Sequence, residues 1–311
     1  MNGEGFAKKA RGDTIFRGIK SKEDRVISAV VYAILLIILL ITIYPLIYVV
    51  SCSISSPMAV MQGRVVLLPI RPTVMSYAKV FSENRLTLGF YNTIIYTVLG
   101  TAINLLLTTT GAYALVEESM PGRKIITQLI LFTMLFSGGL IPTYLVVQRM
   151  NMVNTIWAIV LPNAISVTNF LIMKNTFQVT IPRELKEAAC IDGATHIGTL
   201  ARVVVPLSMP IIAVMAIFYS VSHWNEYFNA LIYLTDKPLH PLQVVLRDIL
   251  VSNEINETIS NSNSMLGEDY FAVAEGIRYA IIVVSSLPMV MLYPFFQRYF
   301  VKGIMVGAVK G

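Results

Sequence analysis

The chain has 311 residues, 55% of them hydrophobic and 14% charged, with a mean hydropathy of +0.67. Soluble domains carry about 25% charged residues, so a water-facing fold of this size is excluded, as are disorder and fibrous repeats. The 24 Lys and Arg outnumber the 18 Asp and Glu, but with so few charges an asymmetric membrane topology explains the excess better than nucleic acid does.

Residues 1–25 form a basic N-terminal segment. Behind it, 26–50 carries no charge and exceeds the about 20 residues needed to cross hydrocarbon. It is also longer than a signal-peptide core of about 7–15 residues, and no small-x-small site follows closely, which predicts a retained span. Further spans are expected at 88–116, with Asn92 and Asn104 as isolated polar positions, and at 125–147, broken by Ser137-Gly138-Gly139 and Pro142. A fourth at 153–173 is interrupted by Pro162-Asn163, a fifth runs 206–234 and a sixth 277–300. The expected fold is thus all-α, with six transmembrane helices inside a membrane domain of 26–301 and a tail of 302–311. Gly and Pro within spans imply packed or kinked helices whose freed backbone groups find partners inside the protein.

With the N-terminus inside, internal segments hold sixteen basic residues and external ones eight, which places both termini in the cytoplasm. Cys52 and Cys190 then lie on opposite sides of the membrane and cannot bridge. They match no zinc or redox spacing, and His196, His223 and His240 are too scattered for a metal site, so no metal is expected.

The internal stretch 174–205 has its own pattern. Pro182 suits a first helical position, Glu184 and Glu187 favour the positive end of a helix dipole, and Leu185, Ala188, Ala189 and Asp192 recur at helical spacing before Gly193, a natural stop. The predicted helix has about 11 residues and is about 16 Å long, too short and too charged to cross. Its small-residue face suits a shallow groove on a partner, with a carboxylate for a charge-assisted bond. A helix lying on the headgroups is the alternative. Scattered basic residues and an alanine face count against it.

Two further features stand open. His223-Trp224-Asn225-Glu226 ends the fifth span about 25 Å from Met209 for a straight helix. Either the group lines a translocation path, with Trp224 offering a ring face and Asn225 and Glu226 polar contacts, or it is an interfacial aromatic belt with Glu226 reaching water. Asn92 and Asn163 are weaker candidates for the path, since interhelical hydrogen bonds explain them equally well. The external loop 236–276 is acidic, with a helical pattern around 242–251, and is either a docking surface or a solvated loop. No GxxxxGK[S/T] occurs, nor a chain of intramembrane carboxylates, so the chain shows neither a phosphate-cradling loop nor a proton relay.

Glu187-Ala188-Ala189, then Gly193 after three residues, then Val203-x-Val205-Pro206 after nine more, resembles the EAA signature of bacterial ABC-importer permeases, with Val in place of the usual Ile and Leu. Six spans, this loop before the fifth, and the tail around Lys302-Gly303 and Gly307–Gly311 look like the maltose-type carbohydrate permeases. The segment 136–163 looks closer to the oligosaccharide and aldouronate branch. The resemblance implies a type I importer permease, a non-catalytic subunit in the bacterial cytoplasmic membrane that works for an oligosaccharide; a permease for another solute, or a self-contained carrier, are the alternatives.

The same resemblance implies a homologous permease partner, two ATP-binding subunits and an extracellular or periplasmic sugar-binding protein that meets loop 236–276. ATP and Mg would sit on the ATPase subunits and no cofactor on this chain. It implies coupling through Glu184, Glu187, Ala188, Ala189, Asp192 and Gly193, with Glu187 paired to a basic residue of the ATPase and the alanines allowing close approach. It also implies an ATPase contact by Gly307, Lys310 and Gly311, although a frayed end explains that tail equally simply.

Overall fold

The computed structural model describes residues 22–260 and 268–308. Lys310, Gly311 and the first 21 residues lie outside the described residues, as do 261–267 of the acidic loop. Every regular element among the described residues is helical.

Helix α1 (Lys22–Ser53) is continuous through Pro45, and its apolar stretch Val26–Ser53 has none of its best window buried within the chain. Such a surface needs lipid or another protein around it. Two short helices follow, α2 (Pro57–Met61) and α3 (Met75–Ser82). Helix α4 (Asn84–Val116) is the axis of the molecule. Thr93, Thr97, Thr101, Asn104 and Thr108 recur on one of its faces and are buried, so that face meets protein. Thr101 and Ser220 hydroxyls lie 3.2 Å apart, and those of Thr108 and Tyr219 2.7 Å, the kind of interhelical bond that joins helices in lipid.

Helices α5 (Arg123–Leu135) and α6 (Leu140–Arg149) follow. The break falls at Ser137-Gly138-Gly139 as expected, but the two halves are bent by 117°. Gly139 has φ +86° and ψ 177°, a conformation open to glycine alone, and its N–H donates to Ser137 Oγ. The expected fourth span is not one helix: it is α7 (Trp157–Val160) and α8 (Val167–Thr180), separated around Pro162-Asn163. Proline removes the donor that would have continued the helix, and Ser166 then caps α8 by accepting the Asn169 N–H.

Helix α9 (Arg183–Ile191) is followed by α10 (His196–Thr199), a π-helical turn at Leu200–Val204, and α11 (Val205–Leu207). The chain then turns by 85° into α12 (Met209–Trp224). The fifth expected span also stops short, because α12 ends at Trp224 and a separate α13 (Phe228–Tyr233) completes it. Helix α14 (Leu242–Ser260) extends well past the expected 242–251, and α15 (Glu268–Ala308) carries Pro288 and Pro294 without interruption.

Among the described residues, three helical stretches are thus long and apolar enough to cross a membrane, Val26–Ser53, Asn84–Val116 and Ala272–Leu292, and two bent pairs pass the same test together. One core packs α4, α8 and α12 through Ala112, Tyr113, Phe170, Met173, Phe177, Met215 and Tyr219. A second joins α3, α4, α12, α14 and α15 through Val80, Leu86, Trp224, Val245 and Ala280. Helices α4 and α12 belong to both, and α4 meets α8 in the first core and α3, α14 and α15 in the second.

Candidate functional site

At the end of α4 marked by Val116, helix α9 projects with no residue fully buried. Pro182 stands one position before the helix, at its cap, with φ −58°. Glu184 lies in the first turn. The stop is a Schellman motif: the Gly193 N–H donates to Cys190 O at 3.0 Å and the Ala194 N–H to Ala189 O at 2.9 Å. Asp192 is the C-cap, and Gly193 has φ +78°, where a side chain is strained. The expected glycine stop is therefore present.

Glu184, Glu187, Ala188, Asp192 and Gly193 are exposed, whereas Ala189 and Lys186 are half-buried. Of the two alanines, only Ala188 lies on the open side. Ile191 and Ile197 flank the glycine turn at 86% and 79% exposure, left largely uncovered by the described residues.

Glu187 is not a free carboxylate here. Arg183 Nε donates to its Oε1 at 3.0 Å, and another nitrogen of the same guanidinium donates to Glu118 Oε2 at 3.1 Å. Lys186 Nζ lies 3.7 Å from Glu117 Oε2. These four residues were not singled out from the sequence. The signal available was a Glu-Glu pair closing a span and two cations three residues apart on the next charged helix. Together they line a cleft of about 570 Å³ that also includes Tyr113, Arg123, Cys190 and His196. Cys190 is free and exposed, and Cys52 is free and buried.

The expected path residues are placed differently. Trp224 is buried at 4% exposure. Its indole N–H donates to Ser285 O at 3.0 Å, and the ring meets Phe90 edge-on at 5.6 Å. It packs α12 against α4 and α15, and offers no ring face for stacking on a sugar. Asn225 is exposed, donates to Val221 O at 2.9 Å and ends α12. The straight 25 Å helix assumed for Glu226 does not exist, because the carboxylate lies in the break. There its Oε1 accepts the Asn229 N–H at 3.2 Å and the Asn229 side-chain N–H at 3.1 Å, a negative charge at the N-terminus of α13.

Asn92 is buried, and its amide donates to Pro238 O at 2.7 Å and His240 O at 3.2 Å. Beside it the Tyr96 hydroxyl donates to Leu239 O, and Thr93 Oγ1 accepts the Leu242 N–H, both at 2.8 Å. Asn92 thus fastens α4 to the turn before α14. The Asn163 side chain is exposed, while its carbonyl faces the Asn104 amide at 3.5 Å. Trp224, Asn225 and Glu226 are neighbours in sequence only. Their polar groups serve three separate junctions. Gly307 falls within α15, and Lys310 and Gly311 lie outside the described residues.

The chain was compared with known proteins. It is 41% identical over 270 residues to Protein LplC of Bacillus subtilis (strain 168), covering 87% of this chain and 90% of that one. It is 36% identical over 289 residues to the polygalacturonan/rhamnogalacturonan transport system permease protein YtcP of the same organism, covering 93% and 100%. Among solved structures, a bacterial ABC transporter involved in import of the acidic polysaccharide alginate contains a chain 35% identical with a TM-score of 0.83, covering 91% of this chain and 99% of that one. Residues 18–306 match the family described as binding-protein-dependent transport system inner membrane component, so a long exposed apolar helix, an all-helical bundle and a projecting charged helix have one explanation: the chain belongs to that family of ABC-transporter membrane subunits.

Proposed function

We propose that this chain is the permease subunit of an ATP-driven oligosaccharide importer, providing half of a translocation path and coupling it to ATP hydrolysis through α9. The single observation that carries the coupling role is a short, sharply terminated helix at the end of α4 with no fully buried residue. Glu187, Ala188 and Ile191 are exposed on it, and Ile197 is exposed on α10 just beyond the glycine turn. A charged helix bordered by bare isoleucines suits a protein groove better than water or headgroups.

The chain crosses the membrane six times in this reading. Its third and fifth crossings are bent, its fourth is built from α7 and α8, and both termini are cytoplasmic. Residues 1–25 and 302–311 are the cytoplasmic ends of a 26–301 membrane domain. A homologous permease, two ATP-binding subunits and an external sugar-binding protein complete the assembly. ATP and Mg belong to the ATP-binding subunits, and this chain carries no cofactor. Glu184, Glu187, Ala188, Ala189, Asp192 and Gly193 form the coupling surface, and Gly307, Lys310 and Gly311 add a second contact. Asn225 and Asn163 are the exposed path candidates. The similarity to a polygalacturonan/rhamnogalacturonan permease and to an alginate importer makes acidic oligosaccharides the first substrates to test.

The test is uptake of labelled oligogalacturonides by membrane vesicles containing the whole complex, with Glu187→Lys and Gly193→Val variants. Loss of uptake with loss of ATPase co-purification is expected. Undiminished uptake after removal of the ATP-binding subunits would overturn the proposal.

A further inference from the structure

We propose that Glu117 and Glu118 yoke α9 to α4, making α4 the rod that carries displacement of α9 to the 237–242 turn on its far half. This rests on the reading of α9 as the coupling helix and adds the route by which its motion leaves it.

Three observations meet in the inference. The first is the grip. Two adjacent carboxylates hold two cations three residues apart on α9, Glu118 with Arg183 at 3.1 Å and Glu117 with Lys186 at 3.7 Å. Pairs as exposed as Glu118–Arg183 add little stability, but side chains at i and i+3 share a helix face. Holding both fixes the rotation of α9 as well as its distance. The Lys186–Glu117 pair is the more enclosed, with side chains 18% and 30% exposed.

The second observation is stiffness. Helix α4 runs for 33 residues without proline or break, about 50 Å at 1.5 Å per residue. The third lies within its opposite half, where Asn92, Thr93 and Tyr96 hold the backbone of 238–242 through four hydrogen bonds. Helix α4 is thus pinned at one end to the projecting helix and in its opposite half to the turn that opens α14.

Arg183 adds a direction to the device. It is shared between Glu118 and Glu187. A partner cation that takes Glu187 leaves Arg183 to Glu118 alone, so docking tightens the yoke.

The experiment uses the complex purified from its native membrane through a tag on this chain, reconstituted with its binding protein and a mixture of oligogalacturonides. ATP hydrolysis is measured with and without binding protein, alongside uptake. In the Glu117→Gln/Glu118→Gln double variant, basal hydrolysis is retained while stimulation by binding protein falls about tenfold, within the usual span of allosteric couplings. Glu117→Lys loses stimulation, and adding Lys186→Glu restores it. Unchanged stimulation in the double variant overturns the yoke, as does failure of the exchanged pair to improve on Glu117→Lys. The exchanged pair decides even if the double variant does not assemble. A silent double variant beside a defective Glu187→Lys removes only the yoke, whereas normal ATPase association in Glu187→Lys removes the underlying reading of α9.

Discussion

Gly100 of α4 makes room for His223 of α12: a β-carbon added at Gly100 would collide with the imidazole Nε2 and lie 2.6 Å from Cε1. The imidazole is 4% exposed, and among the described residues neither ring nitrogen has a hydrogen-bond partner, so shape holds it there. Gly100→Ala is expected to cost about 1–3 kcal/mol, the range for an overpacked core, read as a lower Tm of the solubilised complex. Gly100→Ala with His223→Ala should recover part of that loss. Equal stability of Gly100→Ala and the parent chain would show that the ring moves freely.

Gly193 presents the opposite case. Nothing lies within 4 Å of a β-carbon there, yet φ is +78°. The cost of Gly193→Ala is conformational, about 1–2 kcal/mol for an L-residue in the left-handed region, and falls on the end of α9. Global Tm should barely change while ATPase association weakens, and Gly193→Asn should be milder. A large fall in Tm would contradict this assignment.

Glu226 distinguishes a cap from a path residue. Glu226→Gln keeps an oxygen to accept the Asn229 N–H, whereas Glu226→Ala leaves that donor unmet at a cost of about 1 kcal/mol. Uptake is expected to survive Glu226→Gln and fall in Glu226→Ala. Equal loss in both would make the charge itself the requirement.

Asn92→Leu removes two donated bonds to 238 and 240 while keeping side-chain bulk. Each lost bond is worth about 1 kcal/mol, and an abandoned carbonyl costs more. Cleavage of the 236–242 segment by added protease should accelerate relative to the parent chain, with α9 contacts unchanged. Identical cleavage rates would show that Thr93 and Tyr96 hold the turn without it.

Much of this chain was legible from local rules. A charge-free run such as 26–50 has one stable environment, and a glycine after Glu187-Ala188-Ala189 ends a helix because only glycine takes its φ cheaply. Breaks at Ser137-Gly138-Gly139 and Pro162-Asn163 follow from backbone chemistry. The size of the bends, 117° in one pair and 85° in another, does not, since it is set by what each half packs against. Trp224, Asn92 and Glu226 look like path residues in sequence because a polar or aromatic side chain in an apolar run is costly without a purpose. Tertiary structure supplied other purposes: a carbonyl on Ser285, a turn at 238–240 and the N-terminus of α13. The pairing of Glu117 and Glu118 with Lys186 and Arg183 joins residues more than sixty positions apart. Composition and periodicity describe one segment at a time, and only the folded chain decides which distant charges become neighbours.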